Sequence, residues 1–112
     1  MSDWPKQVRS CAAERSELVC EVCGMQRATH LHHRILRRFG VHTVSNGLHV
    51  DARCHLRIHN SRHATTNGWI VIPPLDVSAD FEVDTLMLYR GAWVRLDNTG
   101  WVNLPAATPA QR

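Results

Sequence analysis

Histidine and cysteine side chains concentrate in one stretch of this 112-residue sequence, at spacings that suit metal ligands. All eight histidines lie between His30 and His63, and three of the four cysteines lie between Cys20 and Cys54. Thiolates and imidazole nitrogens bind zinc and other late transition metals, and a neutral imidazole can also accept a proton near neutral pH. The residue types therefore predict metal-assisted chemistry, with a histidine available as a base.

The first set of ligand-type residues consists of two pairs with the same spacing. Cys20-x-x-Cys23 and Asp51-x-x-Cys54 have the form of the paired ligands in structural zinc sites, and zinc accepts a carboxylate oxygen as well as thiolates. The fourth ligand stays open, because His49 or a water molecule could take the place of Asp51. Two disulfides are the alternative for four cysteines, but the Cys-x-x-Cys spacing suits one ion better than a bridge, and no export signal precedes it.

The second set combines His32-His33 with His55-x-x-x-His59. Residues one helical turn apart share a face, so His55 and His59 on a helix can chelate one ion. Adjacent residues on a strand point to opposite sides, so one of His32 and His33 can join that ion while the other serves as a base. A zinc protease is excluded, because Leu56 takes the position of the glutamate in His-Glu-x-x-His. A two-Cys, two-His finger is excluded because its Cys and His pairs lie much closer together in sequence.

The charge is distributed unevenly, although the formal net charge is only +3. Between Arg27 and His63 a single acid, Asp51, faces seven arginines: Arg27, Arg34, Arg37, Arg38, Arg53, Arg57 and Arg62. From Ala64 to Leu104 the balance reverses, with two arginines against five acids. A basic, histidine-rich middle is typical of a protein that binds the phosphate backbone of nucleic acid, and the alternative is a solvated charged face.

Propensity and turn signals predict the elements that position these residues. In chain order they are a helix over 5–19, a knuckle over 20–24, a strand over 29–36, a loop over 39–46, a strand over 48–50 and a helix over 52–62 with Asp51 as its N-cap. Beyond Asn67-Gly68 there are three strand candidates, at 69–72, 85–89 and 92–96, and a turn at 97–100 that leads to Trp101-Val102. This last part carries no cluster of chemical residues, so we expect it to be packing and scaffold.

The length fits one domain, which we place at 1–104, with a motif core at 20–63 and a C-terminal β addition at 68–104. Residues 105–112, rich in Ala and Pro, predict a disordered tail. No apolar run approaches the ~18 residues of a membrane-spanning helix. Residues 1–5 show neither the basic nor the apolar stretch of a secretory signal. We therefore expect no membrane contact and a cytoplasmic location.

Two segments together resemble the HNH endonuclease signature: His30-Leu-His-His-Arg34, and Asn46-Gly-Leu-His-Val-Asp-Ala-Arg-Cys-His-Leu-Arg-Ile-His59. That family shows a His-His or Asp-His pair, an Asn that begins Asn-x-Leu, and Cys-His-x-x-x-His. The Cys-x-x-Cys pair upstream is similar to that of its zinc-stabilised branch, in which cysteine usually stands at the position of Asp51. Gly68-Trp-Ile-Val71 and Trp93-Val-Arg-Leu-Asp97 resemble the tails of HNH proteins from actinobacterial bacteriophages.

The resemblance implies a role for each matching residue. His32, His55 and His59 would be the ligands of a catalytic ion, and His33 the general base that deprotonates the attacking water. Asn46 would either pin the loop that carries the base or join the metal shell. A structural zinc ion would be held by Cys20, Cys23, Asp51 and Cys54. Neighbouring DNA phosphates would be contacted by Arg34, Arg53 and Arg57.

The implied fold is α+β, a ββα-metal (His-Me finger) core with an N-terminal helix, a structural zinc knuckle and a small C-terminal β addition. The implied activity is metal-dependent hydrolysis of DNA phosphodiester bonds, as nicks or double-strand cuts, with a catalytic Mg, Mn, Ni or Zn ion. For a phage protein the location would be the host cell cytoplasm, and the partner besides DNA would be the terminase that packages it. The alternative is a non-catalytic zinc-knuckle DNA-binding or assembly factor, which has no need of His33 beside a three-histidine site.

Overall fold

Helix α1 spans Lys6–Ser16 in the computed structural model, which describes residues 4–73 and 81–104. Pro5 precedes the helix, where its missing N–H costs little because the first amides of a helix have no partner within it. The helix predicted as far as residue 19 was too long at its C-terminal end. Glu17 and Leu18 adopt positive φ angles of 54° and 65°, which end the helix and turn the chain towards the first cysteine pair.

A β-hairpin forms the middle of the fold. Strand β1 spans His30–His33 and strand β2 spans Gly47–Val50, and they pair antiparallel. His32 lies opposite Leu48, and His33 lies opposite Gly47. Both strands were predicted, although the first is shorter than expected. The loop that joins them, residues 34–46, contains two short 3-10 turns.

Helix α2 spans Ala52–Asn60 and follows β2 directly. Asp51 is its N-cap, since the carboxylate accepts a hydrogen bond of 2.8 Å from the backbone amide of Cys54, which confirms the predicted cap. Cys54 and Ile58 are buried one turn apart, whereas Arg53 and Arg57 are exposed. The helix is therefore amphipathic, with one face against the hairpin and a basic face towards solvent.

A second small sheet lies in the C-terminal part. Strands β3 (Met87–Tyr89), β4 (Ala92–Leu96) and β5 (Val102–Asn103) pair antiparallel in that order. Arg90 and Gly91 have φ angles of 49° and 87° and form the two-residue turn between β3 and β4, a geometry that matches the twist of the strands. The one-turn helix α3, Phe81–Asp84, precedes this sheet and was not predicted.

The strand predicted at 69–72 was wrong. The amides of Trp69 and Ile70 donate to the carbonyl of Ala64, and the amide of Val71 donates to the carbonyl of Arg34, so these groups form turns and a single long-range contact. Gly68 has a φ of 74°, and a Cβ there would overlap the carbonyl oxygen of Leu86. The apolar character of the segment reflects burial, because Trp69 and Val71 both lie in the interior.

The core lies between the hairpin, α2 and the second sheet. Its buried side chains include Leu48 and Val50 of β2, Ile58 of α2, and Met87 and Leu96 of the second sheet. The described residues thus form a small mixed α+β unit, with two helices longer than one turn and two small sheets. Within them, no helix is long and apolar enough to cross a membrane. The tail predicted at 105–112 lies outside the described residues.

Candidate functional site

The four residues of the first ligand set lie together. One ligand atom of each of Cys20, Cys23, Asp51 and Cys54 lies within 4.8 Å of all the others. Cys20 and Cys23 come from the turn after α1, which Gly24 closes with a φ of 67° while its amide donates to the carbonyl of Cys20. Asp51 and Cys54 come from the start of α2. This group, called here the cysteine site, could hold a structural metal ion such as zinc.

Asp51, and not His49, supplies the fourth ligand atom of the cysteine site. One carboxylate oxygen of Asp51 accepts the Cys54 amide, and the other lies 3.4 Å from Sγ of Cys23. Nδ1 of His49 instead makes a hydrogen bond of 2.7 Å with the hydroxyl of Ser16. Burial raises the pKa of Asp51, but hydrogen bonds from the Cys54 amide and the neighbouring thiols outweigh it and hold that pKa below its usual range. The carboxylate is therefore ionised, the form in which it binds a cation.

Two thiols of the cysteine site are harder to ionise than ordinary cysteine. Burial raises the pKa of the Cys54 thiol, and the carboxylate of Asp51 raises it further. Burial also raises the pKa of the Cys20 thiol. Zinc binds the thiolate, so an ion that enters this site must displace protons, and its affinity falls as the pH falls.

The three histidines predicted to share one ion also lie together. Each of His32, His55 and His59 offers a ring nitrogen within 4.8 Å of the other two. Helix α2 presents His55 and His59 from consecutive turns, with their Nε2 atoms 3.2 Å apart. Strand β1 presents His32 from the other side, and its ring centroid lies 5.2 Å from the centroid of each of the other rings. His32, His55 and His59 are called here the histidine site.

A backbone carbonyl holds the ring of His32 in place. Nε2 of His32 lies 2.7 Å from the carbonyl oxygen of Trp69, and a carbonyl only accepts hydrogen bonds, so Nε2 carries the proton. Nδ1 is left with the lone pair that a metal needs. Burial, together with the neighbouring imidazoles of His55 and His59, lowers the pKa of His32 to about 3, so the ring is neutral near pH 7. The Trp69 contact was not predicted, because every residue has a backbone carbonyl and the sequence does not show which one a side chain reaches.

His33 lies on the opposite side of β1 from the histidine site, as the alternation of a strand requires. Its Nε2 lies 3.0 Å from Nδ1 of His42. The ring of Trp4 stacks on that of His33, with centroids 3.9 Å apart and planes 19° apart. Trp4 is itself fixed by a hydrogen bond of 3.0 Å from Nε1 to the carbonyl of Leu31. Neither His42 nor Trp4 was predicted, since both lie outside the periodic segments from which ligand spacing can be inferred.

Asn46 is completely buried, and its side chain makes hydrogen bonds that hold together the loop between β1 and β2. Its Oδ1 accepts the amide of Ile35 at 2.6 Å, and its Nδ2 donates to the carbonyls of Ile35 and Val41 at 3.1 and 2.8 Å. All three hydrogen bonds go to backbone groups of residues 34–46. Of the two roles left open for Asn46, the contacts therefore favour the one in which it pins the loop.

The predicted contact between Arg34 and a DNA phosphate was wrong. Its side chain is completely buried and donates hydrogen bonds of 2.9 to 3.0 Å to the carbonyl oxygens of Gly68, Ser45, Glu82 and Thr85. A guanidinium enclosed in this way cannot reach a phosphate on the surface. Its role is to bind the loop after β1 to the C-terminal part of the fold. Arg53 and Arg57, the other two predicted contacts, are exposed on α2.

A buried ion pair joins helix α1, the turn that carries Cys20 and Cys23, and strand β2. The guanidinium of Arg15, on α1, makes hydrogen bonds of 2.6 and 2.7 Å to the carboxylate of Glu21, which lies between the two cysteines of the turn. The same guanidinium donates to the carbonyl of Gly47 at the start of β2, and Glu21 accepts the amide of His49 at 2.8 Å. A buried pair of this kind is satisfied on both sides, so it fixes α1, the cysteine turn and β2 relative to one another.

The fold and the sites define a small α+β domain in which one helix contributes ligands to two candidate metal centres. Cys54 and His55 are neighbours on α2, so the cysteine site lies at the start of the helix and the histidine site lies along its next two turns. Neither family models nor curated proteins nor solved structures give a significant match to this chain.

Proposed function

We propose that this chain is a metal-dependent endonuclease of the HNH type that hydrolyses DNA phosphodiester bonds. The observation that carries the proposal is the division between the adjacent residues His32 and His33. His32 joins His55 and His59 in the histidine site, whereas His33 lies on the other side of β1. Three clustered imidazoles next to a fourth outside the cluster supply a metal site and a base, which a protein that only binds DNA does not need.

The hairpin and α2 correspond, in this proposal, to a ββα-metal core. The donor set of the histidine site fits a divalent cation, because its three imidazoles come from two elements and the hydrogen bond to Trp69 leaves His32 with a lone pair on Nδ1. Three protein ligands are typical of hydrolytic sites, and imidazole favours late transition metals. When bound, such a cation stabilises negative charge on the scissile phosphate and on its leaving oxygen.

His33 is proposed to accept the proton of the attacking water. The water oxygen forms a bond to phosphorus, its proton passes to a ring nitrogen of His33, and the bond from phosphorus to the leaving oxygen breaks. The leaving oxygen takes a proton from solvent and His33 returns its own to solvent, so the cut strand has a phosphate monoester at one new end and a hydroxyl group at the other. A positioned general base of this kind contributes typically ~10²–10⁴-fold to a rate.

The basic face of α2 supports DNA as the substrate. Arg53 and Arg57 are exposed one turn apart on the same helix that carries His55 and His59. Guanidinium groups at these positions can bind phosphates that flank the scissile bond, which orients the backbone without reading its sequence. The substrate is therefore proposed to be DNA bound through its phosphate backbone.

The cysteine site is proposed to hold zinc that stabilises the fold. Zinc analysis of the purified protein and thermal melting of Cys20→Ser test this, with Cys11→Ser as the matched control, because Cys11 lies outside the site. Metal-binding energy at such a site is folding energy, so Cys20→Ser is expected to lose the zinc and to melt lower by roughly 10 °C or more. Cys11→Ser is expected to keep the zinc. Equal melting of the two variants would contradict the structural role.

A plasmid-nicking assay tests the endonuclease activity itself. Chelator-treated wild type is expected to be inactive and to regain nicking with Mg, Mn, Ni or Zn, whereas His33→Ala stays slow with each ion. His63→Ala is the matched control, since His63 is exposed and belongs to neither site. Nicking that persists in excess chelator would contradict the metal mechanism. DNA binding without nicking under any of these ions would instead indicate the non-catalytic zinc-knuckle factor.

A further inference from the structure

Two anchored residues flank His42 and fix its place in the loop between β1 and β2. Val41, before it, is held by its carbonyl, which accepts a hydrogen bond of 2.8 Å from Nδ2 of the buried Asn46. Thr43, after it, donates from its hydroxyl to the carboxylate of Glu82 at 2.6 Å. The residues on either side of His42 are thus bound to groups within the fold. These contacts on both sides fix the position of His42 in the loop.

His33 is enclosed by two rings on different elements. Nδ1 of His42 lies 3.0 Å from Nε2 of His33, and the ring of Trp4 stacks on the imidazole at 3.9 Å. Trp4 also meets the edge of His42, with centroids 5.7 Å apart and planes at 76°. The three rings contact one another, so they restrict both the tilt of the His33 ring and the direction of its Nε2 atom.

We propose that His42 is a positioning residue that holds His33 in the tautomer with the proton on Nε2. The inference rests on the proposed function, because it concerns the base of that reaction. Nε2 of His33 and Nδ1 of His42 lie 3.0 Å apart, so one of these two nitrogens carries the proton of the hydrogen bond. If His33 donates the hydrogen bond, Nδ1 of His33 has the lone pair that a base requires. If His42 donates it, the proton of the neutral His33 ring is on Nδ1, and the lone pair on Nε2 accepts the hydrogen bond from His42. Only the first arrangement lets the ring accept a proton from water.

The same contacts strengthen as the reaction proceeds. When the proton of water arrives at Nδ1, the His33 ring becomes an imidazolium whose Nε2–H still donates to His42, now as a charge-assisted hydrogen bond. The face of Trp4 attracts the same positive charge. Interactions that are stronger after proton transfer than before it raise the rate and not merely the affinity. In this proposal the proton on Nε2 of His33 stays in place while water gives a proton to Nδ1.

The test measures the tautomer of His33 directly. Full-length protein with ¹⁵N-labelled histidine and bound zinc is studied near pH 8 by long-range ¹H–¹⁵N correlation, with His33 assigned through its loss in His33→Ala. The wild type is expected to show Nε2 of His33 protonated and Nδ1 unprotonated. His42→Ala is expected to shift both nitrogens towards a mixture of tautomers. His42→Asn is expected to retain the wild-type pattern, because the Oδ1 of asparagine, like Nδ1 of histidine, is bonded to Cγ and accepts hydrogen bonds.

Nicking rates and metal affinity complete the test. His42→Ala is expected to nick ~10–100-fold more slowly, the usual cost of losing a partner that orients a functional histidine. Its metal affinity by calorimetry should be unchanged, since His42 is not in the histidine site. His42→Asn should recover most of the rate, and His63→Ala should match the wild type.

The outcomes separate this proposal from the endonuclease proposal. A His33 ring protonated on Nδ1 in the wild type, or one whose tautomer is the same in His42→Ala, overturns the positioning role even if the wild type nicks DNA. A tautomer that is fixed in the wild type and His42→Asn but lost in His42→Ala supports the positioning role. It does so even if no variant nicks DNA, in which case the endonuclease proposal is the one that fails.

Discussion

Asp51 caps helix α2 and completes the cysteine site with the two oxygens of one carboxylate. Oδ1 accepts the amide of Cys54 at 2.8 Å, and Oδ2 lies 3.4 Å from Sγ of Cys23. One side chain thus joins the first turn of the helix to the turn that carries the first cysteine pair. Because His55 follows Cys54 on the same helix, the cysteine site fixes the start of the element that carries the histidine site.

Asp51→Asn separates the two roles of that carboxylate. Asparagine is as good an N-cap as aspartate, but its neutral amide is a weaker zinc ligand. We expect the affinity for zinc, measured by competition with a chromophoric chelator, to fall by about tenfold or more, the size of a lost charged contact. The helix content by circular dichroism should be retained, whereas Asp51→Ala should reduce both. Equal zinc affinity in wild type and Asp51→Asn would show that Asp51 caps the helix without binding the ion.

Arg34→Met is expected to destabilise the fold. The substitution leaves the four carbonyls that Arg34 binds without their donor, and each buried polar group without a partner costs ~1–3 kcal/mol. We expect the free energy of unfolding in denaturant titrations to fall by about 3 kcal/mol or more. Arg53→Met, the matched change at an exposed position of α2, should stay within ~0.5 kcal/mol of the wild type. Equal stability of the two variants would contradict the buried role of Arg34.

Arg53→Ala and Arg57→Ala are expected to weaken DNA binding without lowering the melting temperature. If each guanidinium binds one phosphate, each substitution reduces the slope of log affinity against log salt concentration by about 1. Fluorescence anisotropy on a labelled duplex measures this, in a His33→Ala background so that the duplex is not cut. Lys6→Ala, an exposed lysine on α1, serves as the control and should leave the slope unchanged. Slopes that match the wild type in both arginine variants would place DNA on another face.

Asp97 is expected to stabilise the C-terminal sheet in a pH-dependent way. Its carboxylate accepts hydrogen bonds from the hydroxyl and amide of Thr99, the amide of Trp101 and the side chain of Asn103, which together lower its pKa from 3.8 to about 2. A depressed pKa gives stability that is fully present above the unfolded pKa and is lost as the pH falls from about 4 towards 2.

Calorimetry of wild type and Asp97→Asn across this pH range measures that contribution. The wild type should melt higher near pH 6, and the difference between the two proteins should shrink as the pH falls from about 4 towards 2. The difference is the quantity to follow, because loss of metal at low pH affects both proteins alike. A difference that stays constant with pH would show that the carboxylate charge does not matter.

Spacing along the chain predicted the local pairs of ligand-type residues, whereas the choice of His32 over His33 as a ligand came from the family resemblance. His55 and His59 share a helix face through the period of the α-helix, and Cys20 and Cys23 share a tight turn, so short-range geometry determines both pairs. The two strands and the cap at Asp51 were predicted for the same reason, since alternation, turn residues and capping are local signals. The antiparallel hairpin brings β1 against α2, and His32 therefore meets His55 and His59 although they lie far apart in sequence.

Tertiary contacts explain what could not be predicted. Arg34 belongs to a basic stretch of sequence, and only the packing of residues 68 and 82–85 around it shows that the guanidinium is buried. The segment at 69–72 has strand-like residues, but its amides bind residues 34 and 64 instead of a neighbouring strand. His42 and Trp4 reach His33 from a loop and from the residues before α1, and no periodic pattern links positions so far apart.

The division of roles between His32 and His33 is tested most directly by nicking rate as a function of metal concentration in His32→Ala and His33→Ala. His33→Ala is expected to keep the wild-type metal dependence while its maximal rate falls ~10²–10⁴-fold, because the base is lost and the ion is retained. His32→Ala is expected to need more metal, and excess metal should restore much of its rate. If the two variants exchange these behaviours, the ligand and the base are reversed. If neither variant loses activity, the histidine site is not the catalytic centre of an endonuclease.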